Sequence, residues 1–469
     1  MTDLTAATGP PAEGTAPAGT KPPAGPPPAQ PPPAQPSPGP GPPPGGRPRR
    51  GRLGLWREAD FRRLWTGEVT SALGTAIGAV ALPLVAVVVL DVPPLVLGVI
   101  TASAWLPWLL IGLLAGAWVD RLPRRRVMQC CDLLFVAIYL SVPVAAWLGL
   151  LTAGQLVVVA LLSGTVRVFF HTAYGAIVPT LVAKPDLLEA NVKLRSGESA
   201  AEVAGPGLAG LIGQLLGPVS AVLAHAASYL VSLLCLSRIE TTERPPERSA
   251  RRGIRQEIAE GVRFVAGDRY LRVLVCFSAM GNFALSGIQA VQVLFLVRTV
   301  GLEPGGVGAV FAVVSVGGLL GATLAGRVAR RWGTARALLY CELLAAPCIL
   351  LLPMAGTQIP LAVSTLAWGV AVGGIVAGNV ISGSFFQTYT PGPLLGRVRA
   401  TTSTLNYGSF AVGALTGGVL GGLLGLPGTI WAMCAVLAGA GALLLLSPIR
   451  PLRELPTARE ETGAEPVTL

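Results

Sequence analysis

Residues 95–119 read LVLGVITASAWLPWLLIGLLAGAWV, without one ionisable side chain, and residues 120–126 follow as DRLPRRR. A helix that spans a bilayer needs roughly 20 mostly apolar residues, so the first stretch is a spanning helix and the second a basic loop at one membrane face. Working outward, the same alternation predicts twelve spans. They are Leu64–Leu90, Leu95–Val119, Val127–Leu150, Leu156–Val178, Ala200–Leu216, Val219–Leu236, Leu271–Val297, Val307–Ala329, Ala337–Met354, Ile359–Gly383, Thr402–Leu424 and Ile430–Leu446. Glu198 and Glu202 at its start make the fifth the hardest to place. Pro83, Pro107, Pro143 and Pro347 fall inside spans, where neighbouring helices re-satisfy the freed backbone groups.

Composition agrees. The chain is 52% hydrophobic and 13% charged, against about 25% charged in a soluble domain. Its net charge of +11 does not indicate nucleic acid, because the basic residues sit in short loops between apolar runs. With the N-terminus in the cytoplasm, 33 of the 35 Lys and Arg fall in the tails or in the loops after even-numbered spans, as the positive-inside rule requires. The exceptions are Arg167, inside the fourth span, and Arg298, at the outer end of the seventh. An error of one helix would scramble this alternation, so both termini are expected in the cytoplasm.

The chain also repeats. Gly116, Asp120, Arg121, Arg126 and Cys131-Asp132-Leu133-Leu134 line up with Gly326, Arg330, Arg331, Arg336 and Cys341-Glu342-Leu343-Leu344. The expected organisation is therefore all-α, with twelve transmembrane helices in two six-helix halves. A Pro-rich tail (1–55) precedes an N-terminal bundle (56–237), a linker (238–270), a C-terminal bundle (271–449) and a C-terminal tail (450–469). Runs such as Pro26-Pro27-Pro28 cannot bury apolar surface, and give the first tail polyproline character. In the linker, Ile254, Ile258, Val262 and Val265 share one face of a predicted amphipathic helix. Parallel halves of this kind form one transporter architecture, with the substrate site between them near the midplane.

Several chemistries have no support. There is no GxxxxGK[ST] loop for nucleotide, no HExxH, no metal-spaced histidine pair and no GxSxG, so neither an enzyme, a metal site nor a bound cofactor is expected. The seven cysteines lie in or beside apolar runs with no CxxC pair. They read as small packing residues rather than a disulfide framework.

Gly116-Ala-Trp-Val-Asp120-Arg121-Leu-Pro-Arg124-Arg125-Arg126 resembles motif A of the major facilitator superfamily. Further stretches are similar to its enterobactin- and macrolide-exporter branch. They are Asp60-Phe61-Arg62-Arg63-Leu64-Trp65, Pro179-Thr-Leu-Val182, Leu188-Glu-Ala-Asn191, Ala204-Gly205-Pro206-Gly207-Leu-Ala-Gly210, Glu260-Gly261-Val-Arg263-Phe264 and Gly396-Arg397-Val398. The match spans roughly residues 55–450. Pro123 stands where motif A usually has Gly, Arg330 replaces the acid in the second copy, and His171 replaces an often acidic residue. The resemblance implies the major facilitator fold and a secondary transporter of the plasma membrane. It would act as a monomer by analogy, exporting an amphipathic small molecule (a drug, siderophore or secondary metabolite) in exchange for protons. An importer or lipid translocase of the same fold, and a non-transporting scaffold or sensor with a partner on the Pro-rich tail, are the alternatives.

The resemblance implies a cytoplasmic gate at Gly116, Asp120, Arg121, Arg124 and Arg125; the bland alternative is an interfacial salt bridge that fixes topology. Arg167 and His171, four apart, share a helix face. A mid-membrane arginine costs at least roughly 2.5–3.5 kcal/mol on insertion scales unless it is paired or faces water, so Arg167 should point into a central cavity. Histidine titrates near neutral pH, which makes His171 a proton or substrate group; either residue is otherwise a structural pair. Glu202 is a partner for Arg167 or a coupling acid, whereas Glu198 reads as interfacial and solvated. Glu68 is either a cavity acid or snorkels to the surface. Asp132 and Glu342 occupy equivalent positions in the repeat, which favours a structural role, and His225 reads as a satisfied packing histidine. Gly205, Pro206 and Gly210 resemble the helix-bending motif of antiporters: small residues allow close approach and proline bends the helix. Otherwise they are ordinary small-residue packing.

Overall fold

The computed structural model describes residues 54–119, 121–240, 254–356 and 358–456. The Pro-rich tail expected over 1–55 lies almost wholly outside the described residues, as does Asp120 of the basic loop. From residue 53 onward the chain forms one unit, and among the described residues it is helical, with a single isolated β-bridge between Ala355 and Ile359.

Six helices come first: α1 (Ala59–Leu84), α2 (Pro94–Val119), α3 (Arg124–Trp147), α4 (Ala153–Leu181), α5 (Leu187–Leu216) and α6 (Pro218–Ser237). A linker helix, α7 (Ile254–Gly267), leads to six more: α8 (Arg269–Arg298), α9 (Pro304–Trp332), α10 (Thr334–Ile349), α11 (Leu361–Tyr389), α12 (Gly392–Leu423) and α13 (Gly425–Leu445). Ten of these are long and apolar enough to cross a membrane. The other two, α5 and α12, have 30 and 32 residues, longer at 1.5 Å per residue than a bilayer core of about 30 Å. They start at Leu187 and Gly392, not at the expected Ala200 and Thr402. Their first turns carry Glu189, Lys193 and Arg195, or Arg397 and Arg399, so hydropathy registers only their apolar remainder. The chain is a multi-pass membrane protein.

The two sets of six pack by one scheme. In the first, α1 lies on α5 and α6, α2 on α4, and α3 on α4 and α6; in the second, α8 lies on α12 and α13, α9 on α11, and α10 on α11 and α13. The sets meet chiefly where α2 packs on α12 and α5 on α9. At the ends of these seams away from the basic loops, the helices cross glycine on glycine. A Cβ built on Gly98 would stand 2.7 Å from Gly418 Cα, and one on Gly210 would stand 2.7 Å from Gly308 Cα. At the basic end, Gly112 and Gly116 of α2 and Gly396 of α12 face open space. The far end is bridged as well: Arg298 pairs with Asp91, which sits at φ 47°, and donates to Val92 O at 3.0 Å. Gln214 donates to Glu303 at 2.8 Å. Arg298, an exception to the loop-charge pattern, is thus the cationic side of a bridge between the halves.

The linker helix docks on α12, with Gly261 under Arg397 O and Thr401 and with Glu260 paired to Arg397. Two of the family-like stretches, 260–264 and 396–398, therefore meet in space. The buried face differs from the expected one. Val265 is buried beside half-buried Phe264, whereas Val262 is 48% exposed; Ile254 and Ile258 lie outside the described side chains. The chain after Gly267 turns at once into α8, whose first amides are capped by Asp268 (2.9 and 3.0 Å). That turn rotates the buried stripe toward Gly261, Phe264 and Val265. Pro83 is accommodated by a π-helical turn over Val85–Val89, and all seven cysteines are free, with Cys131, Cys341 and Cys434 buried.

Candidate substrate cavity

Between the halves lies a cavity of about 420 Å3. Its charged lining comes entirely from the first six helices: Glu68 of α1, Arg167 and His171 of α4, and Arg195, Glu198 and Glu202 of α5. The second half contributes Tyr407 of α12. Aromatic side chains share that lining, among them Trp105 and Trp108 of α2 and Tyr407 across the seam.

The ionisable lining is unevenly compensated. Arg167 lies within hydrogen-bonding reach of the hydroxyls of Tyr139 on α3 and Tyr229 on α6, and Tyr229 in turn shares a 3.0 Å hydrogen bond with Thr75 of α1. Among the described residues no carboxylate comes within ion-pair distance of Arg167. The expected Glu202–Arg167 pair is therefore absent. Glu202, exposed into the cavity, stands among Glu198 and Arg195, one turn nearer the start of α5. Glu198 is not a solvated interfacial acid either. Its side chain is 17% exposed, accepts from Tyr174 at 2.9 Å and pairs with Arg195 at 3.0 Å. The polar first turns of α5 roll this acid onto the cavity, which the shorter expected span could not reveal. Glu68 is 6% exposed with one carboxylate oxygen lacking a hydrogen-bond partner, so it does not snorkel. Among the described residues, neither Glu68 nor Glu202 at the cavity has a cation within ion-pair distance.

The aromatic lining escaped sequence reasoning. Trp105 stacks on Phe410 at 4.5 Å, and Trp108 meets Tyr407 at 4.7 Å and the edge of His171 at 5.5 Å. The contacts with Phe410 and Tyr407 join α2 to α12 across the seam, and the contact with His171 joins α2 to α4. A signal existed: Trp105 and Trp108 are three apart on one face, mid-span, away from the interfacial belts that tryptophan favours.

The other singled-out residues are placed as follows. Gly116 faces open space, and Arg125 caps α6 by donating to Leu236 O (2.9 Å) and Ser237 O (2.7 Å). Arg121 and Arg124 flank the turn before α3. Gly205 packs on Ala76 of α1, Pro206 O faces Gly308, and Gly210 meets Gly308 directly. His225 packs against Tyr139 with ring centroids 4.0 Å apart and planes tilted by 35°, in space left by Gly78. Neither of its ring nitrogens has a hydrogen-bond partner, so it packs but is not satisfied. Asp132 and Glu342 are both buried, each inside its own half.

The family model described as transmembrane secretion effector matches residues 52–467. The multidrug efflux pump Tap of Mycolicibacterium fortuitum is 29% identical over 376 residues, covering 77% of this chain and 88% of that pump. A bacterial homologue of the iron transporter ferroportin, 16% identical, superposes in its inward-facing state with a TM-score of 0.68, over 84% of this chain and 98% of the other. In its outward-facing state the TM-score is 0.55, over 82% and 98%.

Proposed function

Because the chain belongs to the transmembrane secretion effector family of major facilitator transporters, we propose that it exports amphipathic small molecules across the plasma membrane in exchange for protons. Membership in a transporter family also makes it a carrier rather than an enzyme. The observation that supports export most is the cavity, whose lining combines Glu68 and Glu202 with Trp105, Trp108 and Tyr407. A guest with an apolar ring system and a polar or cationic edge fits this lining, and protons are the alternative occupants of the acids. The efflux activity of Tap supports the direction.

The basic loops put the end bearing both termini in the cytoplasm. The glycine crossings then close the outer end while the cytoplasmic end stands apart, which is the substrate-loading conformation of an exporter. The better superposition on an inward-facing neighbour agrees. Export proceeds by rocking the halves about the α2–α12 and α5–α9 seams, so that the cavity meets each face in turn. Gly116, Asp120, Arg121, Arg124 and Arg125 form the gate at the cytoplasmic end, Gly205, Pro206 and Gly210 the pliant seam, and a single chain is the working unit. Domain boundaries follow the same division: bundles over 56–237 and 271–449, joined by the linker 238–270.

Efflux-deficient cells producing the wild type or Glu68→Gln, given a panel of fluorescent dyes, antibiotics and siderophores, test this. Lower accumulation of some panel members with wild type alone, erased by a protonophore, is expected. Higher accumulation with wild type would mean import, and no change for any compound with the protein in the membrane would contradict broad export.

A further inference from the structure

Behind the cavity wall lies a group the transport reading does not yet use. Asp132 of α3 is completely buried, and among the described residues neither of its carboxylate oxygens has a hydrogen-bond partner. Ser232 of α6 is the polar side chain facing it. That hydroxyl is also fully buried and closes no hydrogen bond of normal geometry. From α1, Glu68 stands within electrostatic reach, with its own orphaned oxygen. Three helices thus bring unsatisfied oxygens together in the interior of one half. Gly67 makes room for this, since it packs directly on the Ser232 backbone.

The remaining titratable neighbours do not neutralise the cluster. Cys131 on α3 and Tyr229 and Cys235 on α6 act on Asp132 or are acted on by it, and none carries positive charge at neutral pH. Arg167 on α4 turns to the phenols of Tyr139 and Tyr229 instead. An isolated ionised carboxylate in such surroundings is far more costly than a protonated one, and two such carboxylates near each other cannot both remain ionised. A protonated acid, by contrast, gains a donor that an orphaned hydroxyl or carboxylate oxygen accepts.

We propose that Asp132, with Ser232 and Glu68, forms a buried proton-binding site that stores the coupling proton behind the substrate cavity. Glu68 belongs to both the cavity lining and the cluster. It is the relay through which a guest in the cavity changes the proton occupancy of Asp132. No bond other than O–H is made or broken: the proton leaves one carboxyl oxygen and arrives at another or at water. The equivalent carboxyl of the second half, Glu342, is buried against Gly378 and takes no part in the lining of this cavity, so it supplies a matched control. This inference rests on proton-coupled export but is testable without a substrate.

The full chain in liposomes is studied by infrared difference spectroscopy between neutral and alkaline pH, as wild type, Asp132→Asn and Glu342→Gln. A protonated-carboxyl C=O band that disappears in Asp132→Asn and persists in Glu342→Gln is expected. Because asparagine replaces one neutral group by another, Asp132→Asn should also reach the membrane at wild-type levels. A spectrum identical to wild type, or a variant that fails to fold while Asp132→Glu does fold, would overturn the proposal. Everted vesicles with ethidium give the functional arm. Asp132→Asn should lose pH-gradient-driven ethidium accumulation down to the level of vesicles without the protein, yet keep ethidium counterflow. A purely structural role would remove both, and retained uphill accumulation would overturn the coupling role. Wild-type vesicles that ignore ethidium would count against the export reading instead, and the infrared difference then decides this inference by itself.

Discussion

Arg167→Leu abolishes export while the protein still reaches the membrane. Arg167 lies mid-way along α4, with its guanidinium within hydrogen-bonding reach of the hydroxyls of Tyr139 on α3 and Tyr229 on α6, and Tyr229 shares a hydrogen bond with Thr75 on α1. One side chain therefore ties three neighbouring helices to α4. It is also the counter-charge for a cavity in which, among the described residues, neither Glu68 nor Glu202 has a cation within ion-pair distance. Leucine inserts more readily than arginine, by roughly 3 kcal/mol on insertion scales, so loss of activity would not reflect failed insertion. Arg167→Lys should restore little, because a compact ammonium on a flexible stem does not present the planar fork that reaches two hydroxyls at once. Drug accumulation together with membrane abundance checks this. Lysine restoring full activity would show that charge alone matters.

Gly210→Ala traps the transporter away from the state described here. The added methyl would stand 2.7 Å from both Gly308 Cα and Pro304 O, backbone atoms that cannot swing aside. Overpacking of this kind costs typically 1–3 kcal/mol, and only the conformation in which α5 and α9 touch bears that cost. A penalty of 1–3 kcal/mol corresponds to a shift of about 5- to 150-fold between two conformations, toward the one open at the far end. Ala79, which lines the cavity and is exposed within it, reports the shift when replaced by cysteine in a chain cleared of its seven native cysteines. Labelling by an impermeant maleimide should change from the cytoplasmic to the outer side when Gly210→Ala is added. Unchanged sidedness would mean that the glycine crossing is incidental. Gly98, which meets Gly418 in the same way on the other seam, should behave alike.

Much of this was legible before any coordinates. Apolar runs and loop charges located ten spans closely, and the repeat built on Cys131-Asp132 and Cys341-Glu342 foretold two sets of helices with one packing scheme. The starts of α5 and α12 were not legible, because their first turns are charged and a hydropathy window stops where charge begins. That single error also hid the role of Glu198, which the extra turns carry onto the cavity. Arg167, His171, Glu68 and Glu202 stood out because charge in a membrane span is rare. Tyr139, Tyr229, Trp105, Trp108 and Tyr407 did not, because an aromatic residue in a span is unremarkable until another helix is seen to face it. The expected Arg167–Glu202 pair failed for the same reason. Opposite charges on two helices say nothing of rotation about each helix axis, and the phenols of α3 and α6 were nearer.

The central claim is that one chain exchanges a small molecule for protons across the membrane. The direct test is the purified full-length protein in liposomes with an acidic lumen, with a pH-sensitive dye inside and a substrate identified by the accumulation panel outside. The account predicts that the substrate accumulates in the acidic lumen while protons leave in step, and that collapsing the gradient stops both. Substrate and protons moving in the same direction, or substrate movement indifferent to the gradient, would contradict it.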